Sequence, residues 1–352
     1  MMLRPLLTAA VLPLLTTTTA VQLAFAPAEG KELTKTFTTT SDLMLQDLSL
    51  TADGQDLTEL FGAIEASLES ENVVVVTDVY AAMDDGRPKR LERTFDSLSA
   101  TTSISASAAG EGSDDTSEID SPLEGETVVF TWNPELSEYD VRYADDSAGD
   151  EALLAGLSED MDLRAFLPGR EIEVGDSWEI ELEQLGSTLM PGGNLGWGGD
   201  EVDSMDFDAF AEMFEDGFAG LADDLLHGTC TLTFASLSDV EGIKIANMDL
   251  TIEIDGTADM SQLLTESIEE IVEQQDVAPD ITVQRADVFL EFSGEGKLAW
   301  NLTAGHAHSL YVTGDLVVGC EIAVDAEMDG QGGSIEALGE VVGTFTESVT
   351  VE

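Results

Sequence analysis

Apolar and polar residues alternate with period two along most of this chain, the pattern of strands that lay one face on a core. "KELTKTFTTT" and "SDLMLQDLSLT" open such runs at residues 31–51. "NVVVVTDVYAAM" and "KRLERTFDSL" flank Asp84-Asp85-Gly86-Arg87, a hairpin signal. "ETVVFTW" and "SEYDVRYA" join across a turn at Asn133-Pro134, two strands meet around Glu241-Gly242, and from Ile281 onward the chain reads as a meander of five or six strands.

Helical spacing interrupts this pattern in a few places. Leu57, Leu60, Phe61, Ile64 and Leu68 recur every three or four residues, with Asp56 and Glu59 resembling a capping box. A short helical stretch carries Leu153, Leu154, Leu157 and Met161, and a further helix runs through Leu264, Ile268 and Ile271. The clearest amphipathic segment is 206–226, where Phe207, Phe210, Phe214, Phe218, Leu221 and Leu225 form one apolar face. These elements predict an α+β fold: a large, curved, mainly antiparallel sheet, open or half-barrel, with two or three amphipathic helices packed on one face.

Four segments follow. Residues 1–28 have one positive charge at Arg4, an apolar middle, and small residues at Ala24, Ala26 and Ala28, which predicts a secretory signal peptide cut before Glu29. Residues 29–98 hold the first strands and a helix. Residues 99–121, small, polar and acidic, read as a flexible segment. Residues 122–352 carry the main antiparallel region and form one domain with 29–98. No later run approaches the length of a membrane span, so the expected product is exported, periplasmic or extracellular.

Charge changes the picture most. There are 72 Asp and Glu against 13 Lys and Arg, a formal net charge of −59. Such a surface repels nucleic acid and anionic lipid, and it repels itself, so a saline setting would suit it. Disorder is excluded by a hydrophobic content of 43% arranged in regular patterns. Arg87, Lys89, Arg90 and Arg93 concentrate four of the few cations and read as partners for neighbouring acids.

Few residues point to chemistry. Nucleophile, phosphate-loop and zinc-protease motifs are missing, and with so many carboxylates a glycosidase-like pair has no diagnostic value. The expectation is therefore a non-enzymatic protein without a cofactor. His306 and His308, two apart on a predicted strand, share a face and could hold a transition metal with a carboxylate, with His227 too remote to count; the alternative is a solvent-facing strand. "VDAEMDGQGGSIEA" sets Asp325, Glu327, Asp329 and Glu336 at calcium-loop spacing, but strand-like sequence flanks it, so a glycine-rich hairpin turn is the simplest reading. Cys230 and Cys320 both fall on apolar strand faces, either as a disulfide or as two buried thiols.

The glycine-rich stretch at 192–199, with Trp197, leads into the 206–226 segment. That arrangement suggests a lid over an apolar cavity, with Phe207, Phe210, Phe214, Phe218, Leu221 and Trp197 lining a site for a hydrophobic small molecule or lipid. The alternatives are an ordinary core helix, or a structural module whose acidic surface binds divalent cations loosely. The Pro168–Trp178 stretch, "PGREIEVGDSW", and "GKLAW" at 296–300 resemble elements of a group of uncharacterised secreted bacterial β-rich proteins. The resemblance covers about half the chain and implies sheet aromatics and turn glycines, with no activity to carry over. The expected architecture is also similar to the half-barrels of periplasmic lipoprotein carriers, at the level of fold alone.

Overall fold

The computed structural model describes residues 20–58, 64–108, 111–145, 149–182, 184–185, 191–197, 226–273, 280–328 and 331–352. Long strands dominate it. They are β2 (Glu32–Ala52), β4 (Ile64–Asp84), β5 (Arg87–Ala108), β11 (Leu226–Val240), β12 (Ile243–Asp259), β13 (Asp280–Asn301), β14 (His306–Met328) and β15 (Gln331–Val351). Shorter ones are β1 (Val21–Gln22), β3 (Gln55–Asp56), β6 (Glu111–Asp120), β7 (Thr127–Asn133), β8 (Glu138–Tyr143), β9 (Glu171–Ile172) and β10 (Ser177–Ile180).

Thirteen strands join one antiparallel sheet in the order β10-β11-β12-β13-β14-β15-β2-β4-β5-β7-β8, with β3 beside β2 and β6 beside β5. β1 and β9 form a separate pair. Among the described residues the sheet is open, because β8 and β10 end the order without pairing. Its hairpin turns follow the sequence signals: Asp85 and Gly86 take φ of 47° and 78°, and Glu241 and Gly242 take 54° and 87°, the left-handed pairs that match strand twist. Strand β6 carries exposed Asp114, Asp115 and Glu118, charges that discourage pairing with another chain.

One face of the sheet holds the core. Val74, Val76 and Tyr80 on β4, Leu91 and Phe95 on β5, Leu232 and Phe234 on β11 and Leu298 and Trp300 on β13 are buried together with residues of the irregular segments 23–25, 123 and 161–195. Residues 158–178 cross this face. Arg93 on β5 donates to the Glu159 carbonyl, and Trp178 on β10 donates to the Phe166 carbonyl. Residues 159–166 turn back at Asp160–Asp162 and Leu163 and so fall well short of an extended length of about 25 Å, whereas β5 and β10 stand eight strand intervals apart, roughly 38 Å along the sheet. The sheet therefore curls around the segment it encloses.

The structure corrects the α+β expectation: 71% of the residues are in strands and 7% are helical. The helix described is α1 (Ser261–Glu273), capped at its start by Asp259 and placed against β13. The 57–68 helix is overturned from Ile64 onward, where β4 begins. Ile64 and Leu68 satisfy period two as well as period four, and pairing of Leu68 with Leu43 and Ile104 decides between them. Of the 99–121 segment, read as flexible, residues 99–108 lie in β5 and 111–120 in β6, joined across the pair by Ser103 and Thr116 hydroxyls. The five or six C-terminal strands are three strands of 21 to 23 residues. Glycines inside them mark close backbone approach, not turns. Of the 206–226 segment, residues 206–225 lie outside the described residues, and Leu226 opens β11.

A Cβ on Gly343 would stand 1.8 Å from the Asp42 carbonyl oxygen on β2, while one on Gly339 would meet only Cys320 Sγ at 3.7 Å. Gly343→Ala is expected to destabilise by about 1 to 3 kcal/mol in urea unfolding and Gly339→Ala to change little. Like charges also face each other across the outer side of the sheet, at Glu69 and Asp42, Glu340 and Asp47, and Glu291 and Asp255. Raising NaCl from about 0.05 M to about 1 M, where screening shortens to roughly 3 Å, should therefore raise the melting temperature; a flat response would show that these pairs do not strain the sheet.

Candidate functional site

Four charged residues stand in the apolar register of their strands. Lys35 lies between Leu33 and Phe37, Asp78 between Val76 and Tyr80, Arg93 between Leu91 and Phe95, and Glu347 between Phe345 and Val349. Strand alternation points all four to the inner face, and all four are buried.

Three of them form one network. Asp78 pairs directly opposite Arg93, which donates to it through Nε and NH2 at 2.8 Å each. Lys35 Nζ contacts Asp78 at 2.6 Å and Asp162 at 2.5 Å, and the Tyr80 hydroxyl also donates to Asp162. Arg93 completes its bonding with the carbonyls of Ser158 and Glu159. The sequence "SEDMDLR" (158–164) turns sharply to deliver Asp162: Asp160 accepts from the Asp162 amide, and Leu163 takes a φ of 57°. Arg164 then pairs with Glu159 at 2.5 Å and Asp160 at 3.0 Å.

Burial alone would raise the Asp78 carboxyl, but Arg93 and Lys35 outweigh it and hold it at about 2. Glu159 goes the other way: burial pushes it up to about 7 in spite of Arg164. Lys35, Arg93, Asp78 and Asp162 balance in charge, and both cations are occupied. The arrangement binds the inner segment to the sheet.

Glu347 is different. It is fully buried, the Thr39 hydroxyl donates to Oε2 at 2.5 Å, and Oε1 has no partner among the described residues. Burial pushes its carboxyl up to about 8, with the Thr39 bond the one opposing influence.

Beyond Glu347 the same face continues without a charge. On β14 the inner positions are Leu316, Val318, Cys320, Ile322 and Val324; opposite them on β15 stand Gly343, Val341, Gly339, Ala337 and Ile335. β13 adds Phe292, Leu290 and Val288, β2 adds Leu43, Leu45, Leu48 and Leu50, and β4 and β5 add Leu68 and Ile104. Phe292 packs edge-on to Phe345 with ring centres 5.8 Å apart. Most of these side chains are half-buried, and Ile335 is 42% exposed. From Val312 to Val324 the face runs twelve residues, about 40 Å. Carboxylates occupy the other side instead, among them Asp315 and Glu321 on β14 and Glu336 and Glu340 on β15.

The residues singled out from sequence fare unevenly. Trp197 is half-buried and packs against the core, while Phe207, Phe210, Phe214, Phe218 and Leu221 lie outside the described residues. Cys230 and Cys320 are free thiols. Cys230 leads by register to Ile252, Gly294 and Gly314, three strands away and six residues short of Cys320. That separation is about 14 Å across and about 20 Å along the sheet, far beyond disulfide reach. Burial raises the Cys230 thiol to about 12.

His306 and His308 do not share a face. The register shifts between Ala299 and Trp300, which leaves His308 as the extra residue of a bulge. His306 is buried with Nδ1 2.6 Å from the Ala307 carbonyl, burial lowers its pKa, and His308 is exposed. His227 is exposed on β11. In the candidate calcium loop, Asp325 and Glu327 sit on β14 and Glu336 on β15, while Asp329 lies outside the described residues. Asp325 accepts from Gln284, and no group of three His, Cys, Asp or Glu side chains assembles a metal site among the described residues.

The cation cluster on β5 is divided. Arg87 stacks on Trp132 at 4.0 Å, Lys89 and Arg90 pair with Asp84 and Glu92, and Arg93 joins the buried network. A groove of about 810 Å³ opens beside β8, lined by Tyr139, Arg142, Tyr143 and Glu151, but it is polar and wide. Trp178 and Trp300, from the two resembling elements, serve packing: Trp178 binds the Phe166 carbonyl and Trp300 is fully buried. Among the described residues no helix is long and apolar enough to cross a membrane.

The shifts set a pH profile. Glu347 rises from 4.5 to about 8 on folding, so the folded state holds a proton that the unfolded state releases, and stability falls as pH climbs through that window. Glu159 acts alike up to about 7. Asp78 does the reverse: its contribution is present above the ordinary value of 3.8 and lost as pH falls through about 2. The melting temperature should be higher at pH 5 than at pH 8.5, and Glu347→Gln should flatten part of that slope. A variant with the wild-type slope would show that Glu347 ionises without penalty.

Comparison with protein-family models, with curated proteins and with solved structures returns no match for this chain.

Proposed function

We propose that this chain is a non-enzymatic binding protein that holds an apolar ligand on the uncharged inner face of its long sheet. One observation carries the reading. In a chain with 72 Asp and Glu, the inner positions of β14 and β15 beyond Glu347 hold no charged residue, and their half-buried side chains continue the packed core outward. A sheet needs its apolar face covered, and an apolar face of this extent left half-buried is the usual mark of a binding surface. The apolar run behind Arg4 supports a role outside the cytoplasm, but not a cut before Glu29, because Val21–Gln22 pairs with β9 and Leu23 and Phe25 lie in the core. The histidines stand apart, and Lys35 and Arg93 are both held by buried carboxylates.

N-phenyl-1-naphthylamine, an uncharged dye whose fluorescence rises in apolar surroundings, tests this. Saturable uptake by the purified protein is expected. Val318→Asp, which sets a carboxylate in the middle of the face, should weaken uptake at least tenfold, while Tyr311→Asp, at a half-exposed outer position of the same strand, should not. Melting curves of both variants would establish that they fold. Uptake that is absent, or indifferent to Val318→Asp in a folded variant, would sink the reading.

A further inference from the structure

We infer that the ligand is a long-chain amphiphile with an uncharged oxygen-bearing end, such as an alcohol, ester or amide, seated against Glu347 and Thr39. This rests on the reading just given and adds the class of ligand. Glu347 stands where the packed core gives way to the half-buried face. On one side of it along β15 is buried Val349, on the other half-buried Phe345. Directly opposite are Val312 on β14 and Thr39 on β2. Thr39 satisfies Oε2, and Oε1 is left without a partner in apolar surroundings. A buried polar atom in that position is costly unless something meets it, and the ligand's oxygen is what meets it here.

Charge complementarity selects the kind of oxygen. The inner positions facing Glu347 are Val312 and Gly314 on β14, Phe37, Thr39 and Ser41 on β2, and Phe345 and Val349 on β15, none of them titratable. The nearest charged group on the inner face of β2 is Lys35, four residues from Thr39 or about 13 Å away, and it is already held by Asp78 and Asp162. A carboxylate or phosphate headgroup would find no free cation there, in a chain of net charge −59. A neutral carboxyl, by contrast, offers one O–H to an acceptor oxygen. The acid form is favoured because burial lifts this group to about 8. Above that pH the donor is lost and binding should weaken about tenfold per unit.

Dodecanol, dodecanoate and dodecylamine, matched in chain length, are competed against the dye at pH 7 and pH 9. Dodecanol is expected to compete at least tenfold better than dodecanoate at pH 7, and to lose about tenfold by pH 9. Glu347→Gln, which keeps an N–H donor, should bind dodecanol at both pH values alike. Thr39→Val removes the bond that lowers the carboxyl and should move the pH midpoint upward, which tests the idea even if Glu347→Gln fails to fold. Dodecanoate or dodecylamine competing as well as dodecanol, or a pH response unchanged in both variants, overturns this inference and leaves the apolar-ligand reading standing. No dye uptake by the wild-type protein overturns both.

Discussion

Asp78 and Arg93 face each other across β4 and β5, and the rest of the structure depends on that pair. It sits on the buried side of the sheet, at a register where each neighbour along the strand is apolar. Slipping β5 by one residue would turn Arg93 out and leave Asp78 with Lys35 alone, so the pair fixes register more sharply than a hydrophobic contact would. Lys35 and Asp162 extend the pair to β2 and to the segment that fills the curl of the sheet. Buried ion pairs add little net stability over apolar residues of similar size, but breaking one by removal of a partner costs about 3 to 5 kcal/mol. Their effect here is to make one arrangement of strand and inner segment much better than its neighbours.

That demand weighs heavily on a chain with 13 cationic residues. Lys35, Arg93 and Arg164 are all committed to the inside. Among the described residues Glu347 has no cation beside it, and burial pushes its carboxyl up to about 8. The same scarcity explains the division of the two faces. A carboxylate on the inner side needs either a partner or a proton, so the acids gather on the outer side, where water and salt screen them.

Much of this was legible in residue spacing, and some was not. The turns at Asp85-Gly86 and Glu241-Gly242 were plain, because only a few residues tolerate φ above zero twice in succession. Helical spacing misled where every fourth residue was apolar, since Ile64 and Leu68 fit both periods and only cross-strand partners choose between them. Strand length was hidden by internal glycines: Gly343 and Gly314 look like breaks but mark places where neighbouring backbones come close. The histidine pair failed because a one-residue bulge cannot be seen in a two-residue spacing. The candidate site leaves a trace in the sequence. "LTKTF", "VTDVY", "LERTF" and "FTESV" each place one charge in an apolar register, and each of those charges is buried. The second partner of Lys35, Asp162, comes from a loop with no pattern to announce it.

The acidic outer face and the bare inner face are one design constraint seen from two sides. Adjacent strands bring carboxylates opposite one another, as at Glu69 and Asp42, and each such pair favours a more open, better solvated sheet. The inner face pulls the other way, because its Leu, Val and Phe side chains gain most when the sheet curls and water leaves. The network around Asp78 holds one end of the long strands closed, while toward Ile335 the inner side chains remain half-buried. In that balance, covering the inner face would favour the curled sheet and stronger repulsion outside would favour the open one. Burial of the inner face and the ionic strength of the medium thereby act on the same quantity, the curvature of a single sheet.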